Sequence, residues 1–545
     1  MKHFLLAACL LLGLLLPSFN VRAQSPAPTD SQAFGVLREF YAMRNYKPVW
    51  TKGERFNDKA KKLPAIMVGA LAHGLNPETY GIARMNAVLE TEKPDGPTAW
   101  KQAELFWTYN VWEYASDLAG QAVDAATLES VLDGDVEDNL ASLAPDNDLY
   151  HALQDKLMES DARIAAEAAG TPADQVKFDF KRTLFKPGMA SKQVPLLRAR
   201  MVNYGAQENV PGETAEIYDA QLAQAVGRFQ NEYGLKDDGS IGPVTLQILN
   251  RNAYSDRQQI IANMQRLREP HRRLREDKRI EVSIARYWLT GYENGREAIT
   301  MPVIVGKPGR QTISFRTEIS GVRLNPTWNV PATIKKEDFI PQLLNDPTKL
   351  KYRVKVVHAG QTVDPGSIDW KTLTPRELAQ VRFWQPAGDG NALGRYRVIM
   401  ENPYDIYLHD TNHPELFKIS MRAQSSGCVR VARPDELTDF ILKTTSPWNP
   451  QKIKETVAKG QTRDVVIETK IPIYLDYMTA WFNDRRQLIL GMDVYALDKP
   501  RYDVLVKNGL TTQRNAQGIL NRVTDILEPE LKEAHYQEAI TPTAN

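Results

Sequence analysis

The spacing of apolar positions divides the chain before any chemistry is considered. Phe4 to Leu16 is apolar apart from Gly13, with Lys2 before it and Pro17 after it. The run is short for a membrane span, and Val21-Arg22-Ala23 offers small residues where a signal peptidase cuts. Residues 1–23 therefore read as a secretory signal peptide. An uncleaved anchor and a lipoprotein signal at Cys9 are the alternatives, and Cys9 stands early in the run for the latter. Residues 24–33, rich in Pro, Ala and Ser, read as a linker. From 34 to 178 apolar residues recur at helical spacing, as in Val36-Leu37-Phe40-Tyr41 and Ile66-Val68-Leu71. The stretch 156–169 consists of strong helix formers. This region offers no chemical motif and reads as a helical scaffold domain.

Residues 183–250 read as three short helices. The first starts at Val194-Pro195 and ends at Gly205. The second follows Tyr218-Asp219 and presents Leu222, Ala225, Val226 and Phe229 on one face, with Gly234-Leu235 at its end. The third runs from Val244 to Leu249 after the turn Asp237–Pro243. Residues 251–279 are strongly charged, with the basic stretch His271-Arg272-Arg273-Leu274-Arg275, and read as a solvated connecting helix. From 280 to 500 the period shortens to two. Ile280–Ile284, Met301–Lys307 and Arg395–Met400 read as strands, and 501–545 as a C-terminal tail. The fold class expected is multidomain α+β.

Composition changes this picture little. Among 545 residues, 42% are hydrophobic and 25% charged, as in ordinary globular chains. The balance of 68 Lys+Arg against 67 Asp+Glu lacks the basic excess of a nucleic-acid binder, so no nucleic-acid partner is expected. Only two cysteines occur, which excludes a disulfide scaffold. Cleavage after Ala23 removes Cys9 and leaves Cys428 alone. An exported protein with one thiol holds either a reactive cysteine or a buried, inert one.

The segments Asp405–Asp410 and Ser425-Ser426-Gly427-Cys428-Val429-Arg430-Val431 carry the chemistry. Gly427 permits a sharp turn beside Cys428, and Arg430 is a cation that favours thiolate. Pro434-Asp435-Glu436-Leu437 reads as a helix start, with Leu437, Phe440 and Ile441 on the buried face; its N-terminus near the thiol would favour the anion. His409 ends a strand and is the candidate base, since imidazole within reach turns a sluggish thiol into a nucleophile. A zinc set of His409, His413 and Cys428 is disfavoured by Pro414 and by the lack of further ligands. No metal and no cofactor are expected.

The unit KPGM…LLRARM…YDAQLAQAVGRFQNEYGLKDDGSIGPVTLQILN resembles a three-helix peptidoglycan-binding domain. His409 with Ser-Ser-Gly-Cys-Val-Arg resembles the site of YkuD-domain L,D-transpeptidases, particularly the large YcbB-like subgroup. The resemblance extends to Asn325–Pro331, Asn391–Gly394, Tyr407–Thr411, Ile471–Leu475 and Phe40–Trp50. Many family members carry His directly before Gly-Cys; this chain has Ser426 there, so the base role falls to His409 alone. The resemblance implies a β-rich YkuD-type catalytic domain over 280–500, with 330–394 as a capping insertion. It further implies an exported, envelope or periplasmic enzyme that forms 3→3 cross-links between peptidoglycan stem peptides through a Cys428 thioester, and carbapenem reactivity of that thiol. Gly427 and Ser426 are placed at the oxyanion loop. Arg430 is either a substrate-carboxylate ligand or a loop brace, and Tyr407 either lines the cleft or packs the strand. Trp328 and Asn391 are candidate substrate contacts. Donor and acceptor stems are the expected partners, with other wall-synthesis proteins as candidates and a membrane only if the signal is uncleaved. An L,D-carboxypeptidase and a non-catalytic wall-binding scaffold are the alternative functions.

Overall fold

The computed structural model describes residues 30–506, apart from 53–54, 92–96, 170–176, 181–183, 208–209, 234, 271–275, 351–353, 444, 446 and 484. The expected signal, the linker up to residue 29, the basic stretch 271–275 and everything beyond 506 lie outside the described residues. The first helix, Asp30–Met43, begins inside the expected linker because Ala33, Leu37, Phe40 and Tyr41 are buried along one of its sides. Its neighbours include the long helix Pro97–Ala119 and the helix Ala125–Leu132. Glu104, buried on the former, accepts hydrogen bonds from the Trp50 N–H (2.9 Å) and the Tyr41 hydroxyl (3.1 Å). It also takes the Val49 N–H. A buried carboxylate thus satisfies loop amides that would otherwise be orphaned.

The three helices of the next unit are Val194–Arg200, Ala220–Glu232 and Pro243–Leu249, close to the expected limits. Asp219 caps the second by accepting from the Leu222 N–H at 2.8 Å, and all four apolar positions assigned to its inner face are buried. Phe178, Phe180, Phe185 and Tyr218 stack in sequence with centroids 5.7, 4.5 and 5.3 Å apart. The scaffold helices, this stack and the three-helix unit share one hydrophobic core.

The helix Ala253–Arg268 is not solvated, contrary to the reading of its charges. Asp256, Gln259, Asn263, Arg266 and Arg268 on it are all buried. Each charge or amide meets a distant partner. Arg266 pairs with Asp498, Arg268 donates to the Tyr150 hydroxyl at 3.0 Å, and Gln259 donates to the carbonyls of Thr479 (3.0 Å) and Gly491 (2.9 Å). Charge density marks a surface only when the partners are water, and here they are protein. The expected tail also begins too early. The helix Asp498–Leu505 crosses residue 500 and packs on Ala253–Arg268, with Tyr502 and Leu505 buried in the same core.

The strand-rich part starts with β1 (Arg279–Ser283), β2 (Trp288–Glu293), β3 (Arg296–Gly306) and β4 (Phe315–Leu324). The insertion adds β5 (Trp328–Asn329), β6 (Lys355–His358), β7 (Gln361–Val363) and β8 (Arg382–Gln385). Then follow β9 (Tyr396–Met400), β10 (Leu408–His409), β11 (Ala423–Ser425), β12 (Val429–Val431) and β13 (Arg463–Asp476). The last pair is β14 (Ala480–Phe482) and β15 (Leu488–Leu490). Nine strands form one sheet in the order β11-β3-β12-β10-β9-β4-β13-β1-β2. β3 also pairs with β2, so the sheet closes on itself around Val282, Leu289, Val303, Val322, Val398, Leu408 and Val429. The helix Pro434–Leu442 covers this core with Leu437, Phe440 and Ile441, the face the sequence assigned. β5 to β8 form a separate four-stranded sheet in the order β5-β8-β6-β7, with its own core around Val356, Trp370 and Phe383.

Candidate active site

β10 and β12 run parallel with Leu408 opposite Val429 and His409 opposite Arg430. Side chains alternate along a strand, so Tyr407 and His409 share a face, as do Cys428 and Arg430. Cys428 thus sits beside Tyr407 and diagonally from His409, a span of roughly 7 Å at the backbone. On the other side of β10, His409 faces Arg397 of β9, and Arg397 faces Arg323 of β4. A row of basic residues, Arg323, Arg397, His409 and Arg430, therefore crosses four adjacent strands.

The Cys428 thiol is half-buried and lies 3.6 Å from the Asp405 carbonyl, to which it donates. Burial pushes the thiol up. Hydrogen bonds from the Tyr407 backbone and phenol, and the Arg397 and Arg430 charges, pull the other way. His409 is 5% exposed. Burial first, then the Arg430 charge, depresses its imidazolium to about 3, against the Asp410 hydrogen bond. Nδ1 lies against the Asp410 carbonyl. A carbonyl only accepts, so Nδ1 carries the hydrogen and Nε2 keeps its lone pair. The resting site pairs a neutral thiol with a neutral imidazole. Solvent-poor surroundings outweigh the local cations that the sequence brought forward as thiolate stabilisers.

The helix Pro434–Leu442 does not bring its N-terminus to the sulfur. Cys428 precedes β12 and Pro434 follows it, so about 10 Å of strand separates them. Gly427 has φ +120°, a conformation that strains any residue with a Cβ, although a Cβ there would meet nothing closer than 3.7 Å. The turn is held from below. Thr312 Oγ1 donates to the Gly427 carbonyl at 2.7 Å, and Ser425 Oγ donates to the Cys428 carbonyl at 2.5 Å. The Gly427 N–H donates to Ser425 Oγ at 3.2 Å, so it is engaged within the loop. Ser426 is exposed and its Oγ accepts from Arg310 at 3.0 Å. The same guanidinium donates to Asp338 at 2.8 Å and Glu337 at 2.9 Å, and so ties the insertion to the loop before Cys428.

Arg430 and Arg397 each hold a buried Nε with no hydrogen-bond partner. Arg397 stacks over the Tyr407 ring at 4.2 Å. Trp328 is mostly buried and its indole is hydrogen-bonded to the Tyr407 phenol, so it touches the sulfur's neighbour. Asn391 stands apart from the other expected substrate contacts. It is 2% exposed, donates to the Pro326 (2.9 Å) and Pro386 (2.8 Å) carbonyls, and accepts from the Leu393 N–H. With its side-chain amide occupied on both atoms, Asn391 ties its own turn to the Pro326 carbonyl at the other end of the insertion. Thr312, Arg310 and Arg397 escaped the sequence reading, and Ser425 stood in the motif without a role. Arg397 was legible only as an outward position of a strand, and its place beside His409 depends on register.

Residues 277–466 match the L,D-transpeptidase catalytic domain of the YkuD family, 35–133 a scaffold domain, and 190–249 a "Putative peptidoglycan binding domain". The chain therefore carries a YkuD L,D-transpeptidase catalytic domain beside a peptidoglycan-binding domain. A protein of Haemophilus influenzae named "Putative L,D-transpeptidase" is 36% identical over 223 residues, which cover 40% of this chain and 44% of that protein. The chain thus spans less than half the length of that relative. Solved structures of an Enterococcus faecium L,D-transpeptidase mutant and of L,D-transpeptidase 3 from Mycobacterium tuberculosis are each 13% identical. They cover 38% and 37% of this chain and 52% and 61% of their own, with TM-scores of 0.18 and 0.19. No helix among the described residues is long and apolar enough to cross a membrane.

Proposed function

We propose that this chain is an exported L,D-transpeptidase of the cell envelope that joins peptidoglycan stems by 3→3 cross-links through a Cys428 thioester. The observation that carries the reading is the Cys428–Tyr407–His409 group on adjoining strands, with an imidazole that is neutral and offers Nε2. Cys428 Sγ attacks the carbonyl carbon of the third stem residue while its proton passes to His409 Nε2. The Gly427 N–H is already engaged, which leaves the Cys428 N–H as the loop amide for the oxyanion. The tetrahedral species collapses, the bond to the terminal D-alanine breaks, and His409 returns the proton to the departing amine. The side-chain amine of a second stem's third residue then attacks the thioester. His409 accepts that amine's proton and delivers it to the leaving Cys428 sulfur. Because thiol and base are both neutral at rest, the proton moves with the attack rather than before it.

Arg430, with an unpartnered Nε next to the thiol, fits a stem carboxylate better than a loop brace, since it braces nothing with that atom. Tyr407 supplies a hydrogen bond to the sulfur and a platform under Arg397. Arg310 holds the 330–394 insertion over the approach to Cys428, where it limits water at the thioester.

The test is intact-protein mass spectrometry of the mature chain with a disaccharide-tetrapeptide, with Cys428→Ala alongside. A covalent adduct on the wild type alone, together with 3→3 dimers, is expected. Tripeptide monomers without dimers would make the enzyme an L,D-carboxypeptidase. The absence of adduct and product would leave a wall-binding scaffold. Carbapenem treatment should label the same thiol.

A further inference from the structure

The catalytic match ends at residue 466, and the chain beyond it returns to the thiol turn. Tyr495, 5% exposed, follows the β14–β15 pair. Its hydroxyl donates to the Gly306 carbonyl at 2.7 Å and accepts from the Thr312 N–H at 3.2 Å. Gly306 ends β3, and Thr312 closes the turn that follows it. The Gly306 N–H donates to Thr312 Oγ1 at 2.9 Å. Both backbone groups of Gly306 are thus joined to Thr312, one directly and one through the phenol. The approach is close: a Cβ on Gly306 would lie 2.1 Å from the Arg310 carbonyl oxygen.

A second tyrosine holds the first. The Tyr477 hydroxyl accepts from the Tyr495 N–H at 2.8 Å and donates to Asp493 at 2.6 Å, and the two rings stack with centroids 5.1 Å apart. Asp493 also accepts from the N–H groups of Leu497 (2.9 Å) and Asp498 (2.8 Å). Asp498 is the partner of Arg266, whose guanidinium lies 5.2 Å from the centre of the Tyr477 ring. Tyr495 is therefore fixed from behind by the joint with the helix Ala253–Arg268. Burial pushes its phenol up to about 12, so the hydroxyl keeps its hydrogen at neutral pH.

The consequence lies one peptide away. Thr312 Oγ1 receives the Gly306 N–H, so its single hydrogen goes to the Gly427 carbonyl at 2.7 Å. That carbonyl and the Cys428 N–H belong to one planar trans peptide and point in opposite directions. Gly427, at φ +120°, has no Cβ to resist rotation of this plane. Clamping the oxygen therefore aims the N–H, the amide left for the oxyanion. We propose that Tyr495 is a positioning residue for acyl transfer: its hydroxyl sets Thr312, and Thr312 holds the Gly427–Cys428 peptide with its N–H turned toward the reacting carbonyl. This role rests on the Cys428 chemistry proposed above and brings into it a residue from outside the matched catalytic domain.

Tyr495→Phe keeps the stacked ring and removes only the hydroxyl. With the disaccharide-tetrapeptide as donor, kcat should fall by about 10- to 100-fold, short of the roughly 10²- to 10³-fold of a deleted oxyanion donor, and KM should stay close to that of the wild type. Alkylation of Cys428 by iodoacetamide, which passes through no oxyanion, should keep its rate. Thr312→Val should show the same split, and Thr312→Ser, which restores the hydroxyl, should recover kcat. The double variant of Tyr495→Phe with Thr312→Val should be no slower than Thr312→Val alone, because both act at one peptide. Unchanged kcat in Tyr495→Phe overturns the proposal. So do a parallel loss of acylation and alkylation, which marks loosened structure, and losses that multiply in the double variant. A wild type that forms neither adduct nor product fails earlier, at Cys428 itself, and takes this role with it.

Discussion

Along the helix Ala253–Arg268, Arg266 ends on Asp498, Arg268 on the Tyr150 hydroxyl, Gln259 on two carbonyls and Asn263 on Thr479 at 2.7 Å. Across the sheet at Cys428, Arg397 and Arg430 keep Nε atoms without partners, and His409 is held neutral between them. Both regions bury cations, and they do so to different ends. In the helix each charge closes a contact between segments far apart in sequence, so the joint is complete. At the sheet face the cations wait for charge that the protein itself does not supply. Buried polar groups that are fully satisfied hold a fold together, and ones left open cost stability that a substrate recovers.

Substitutions can break this comparison, and the largest effect falls at the sulfur. Cys428→Ala should remove the acyl adduct altogether while thermal unfolding stays near that of the wild type. His409→Gln should slow acylation by about 10²- to 10⁴-fold, the usual contribution of a general base, as read by stopped-flow consumption of a carbapenem. Next comes the joint. Asp498→Asn leaves Arg266 buried beside a neutral group and should cost about 3–5 kcal/mol in chemical denaturation, with acylation by the surviving folded enzyme unchanged. Arg430→Met should do the reverse. Stability should hold or rise, and kcat/KM for a tetrapeptide donor should fall by about 10- to 100-fold, as expected for a lost charge-assisted hydrogen bond. Equal destabilisation by Asp498→Asn and Arg430→Met would erase the distinction between the two regions.

The last effect is a pH dependence, and it is spread over several pH units. His409 binds its proton less readily folded than unfolded, with a folded value of about 3 against an ordinary 6.5. A neutral buried imidazole stabilises the fold fully above pH 6.5, and that contribution is lost as pH falls from 6.5 toward 3. The slope should approach about 1.4 kcal/mol per pH unit in that window, and His409→Gln should abolish this share of it. Acylation, in turn, should stay flat from pH 5 to 8, because the base is already neutral there. A steep rise in that range would mean that attack awaits a preformed thiolate.

Much of this was written in the sequence where one stretch of chain sufficed. The three short helices, the capping Asp219, the buried faces of Ala220–Glu232 and Pro434–Leu442, and the strands Ile280–Ile284 and Arg395–Met400 all follow from periods of 3.6 or 2 and from turn residues. Cys428 and His409 stood out because an unpaired thiol and a strand-ending imidazole are rare. Other features depend on which strand lies beside which. Arg397 reaches His409 only through the β9–β10 register, and Ser425 braces the Cys428 turn only once the loop is closed. Asn391 looked available and proved to be occupied by carbonyls of its own turn and of distant Pro326. The charged helix looked solvated because hydrophobic and polar patterning reports how much of a surface is apolar, and says nothing of whether a charge will meet water or a distant partner. Proximity between segments separated by hundreds of residues is a property of the packed chain. The resting state of the site follows from it: cations near in sequence argued for a thiolate, and burial, which only tertiary structure creates, kept the thiol and imidazole neutral.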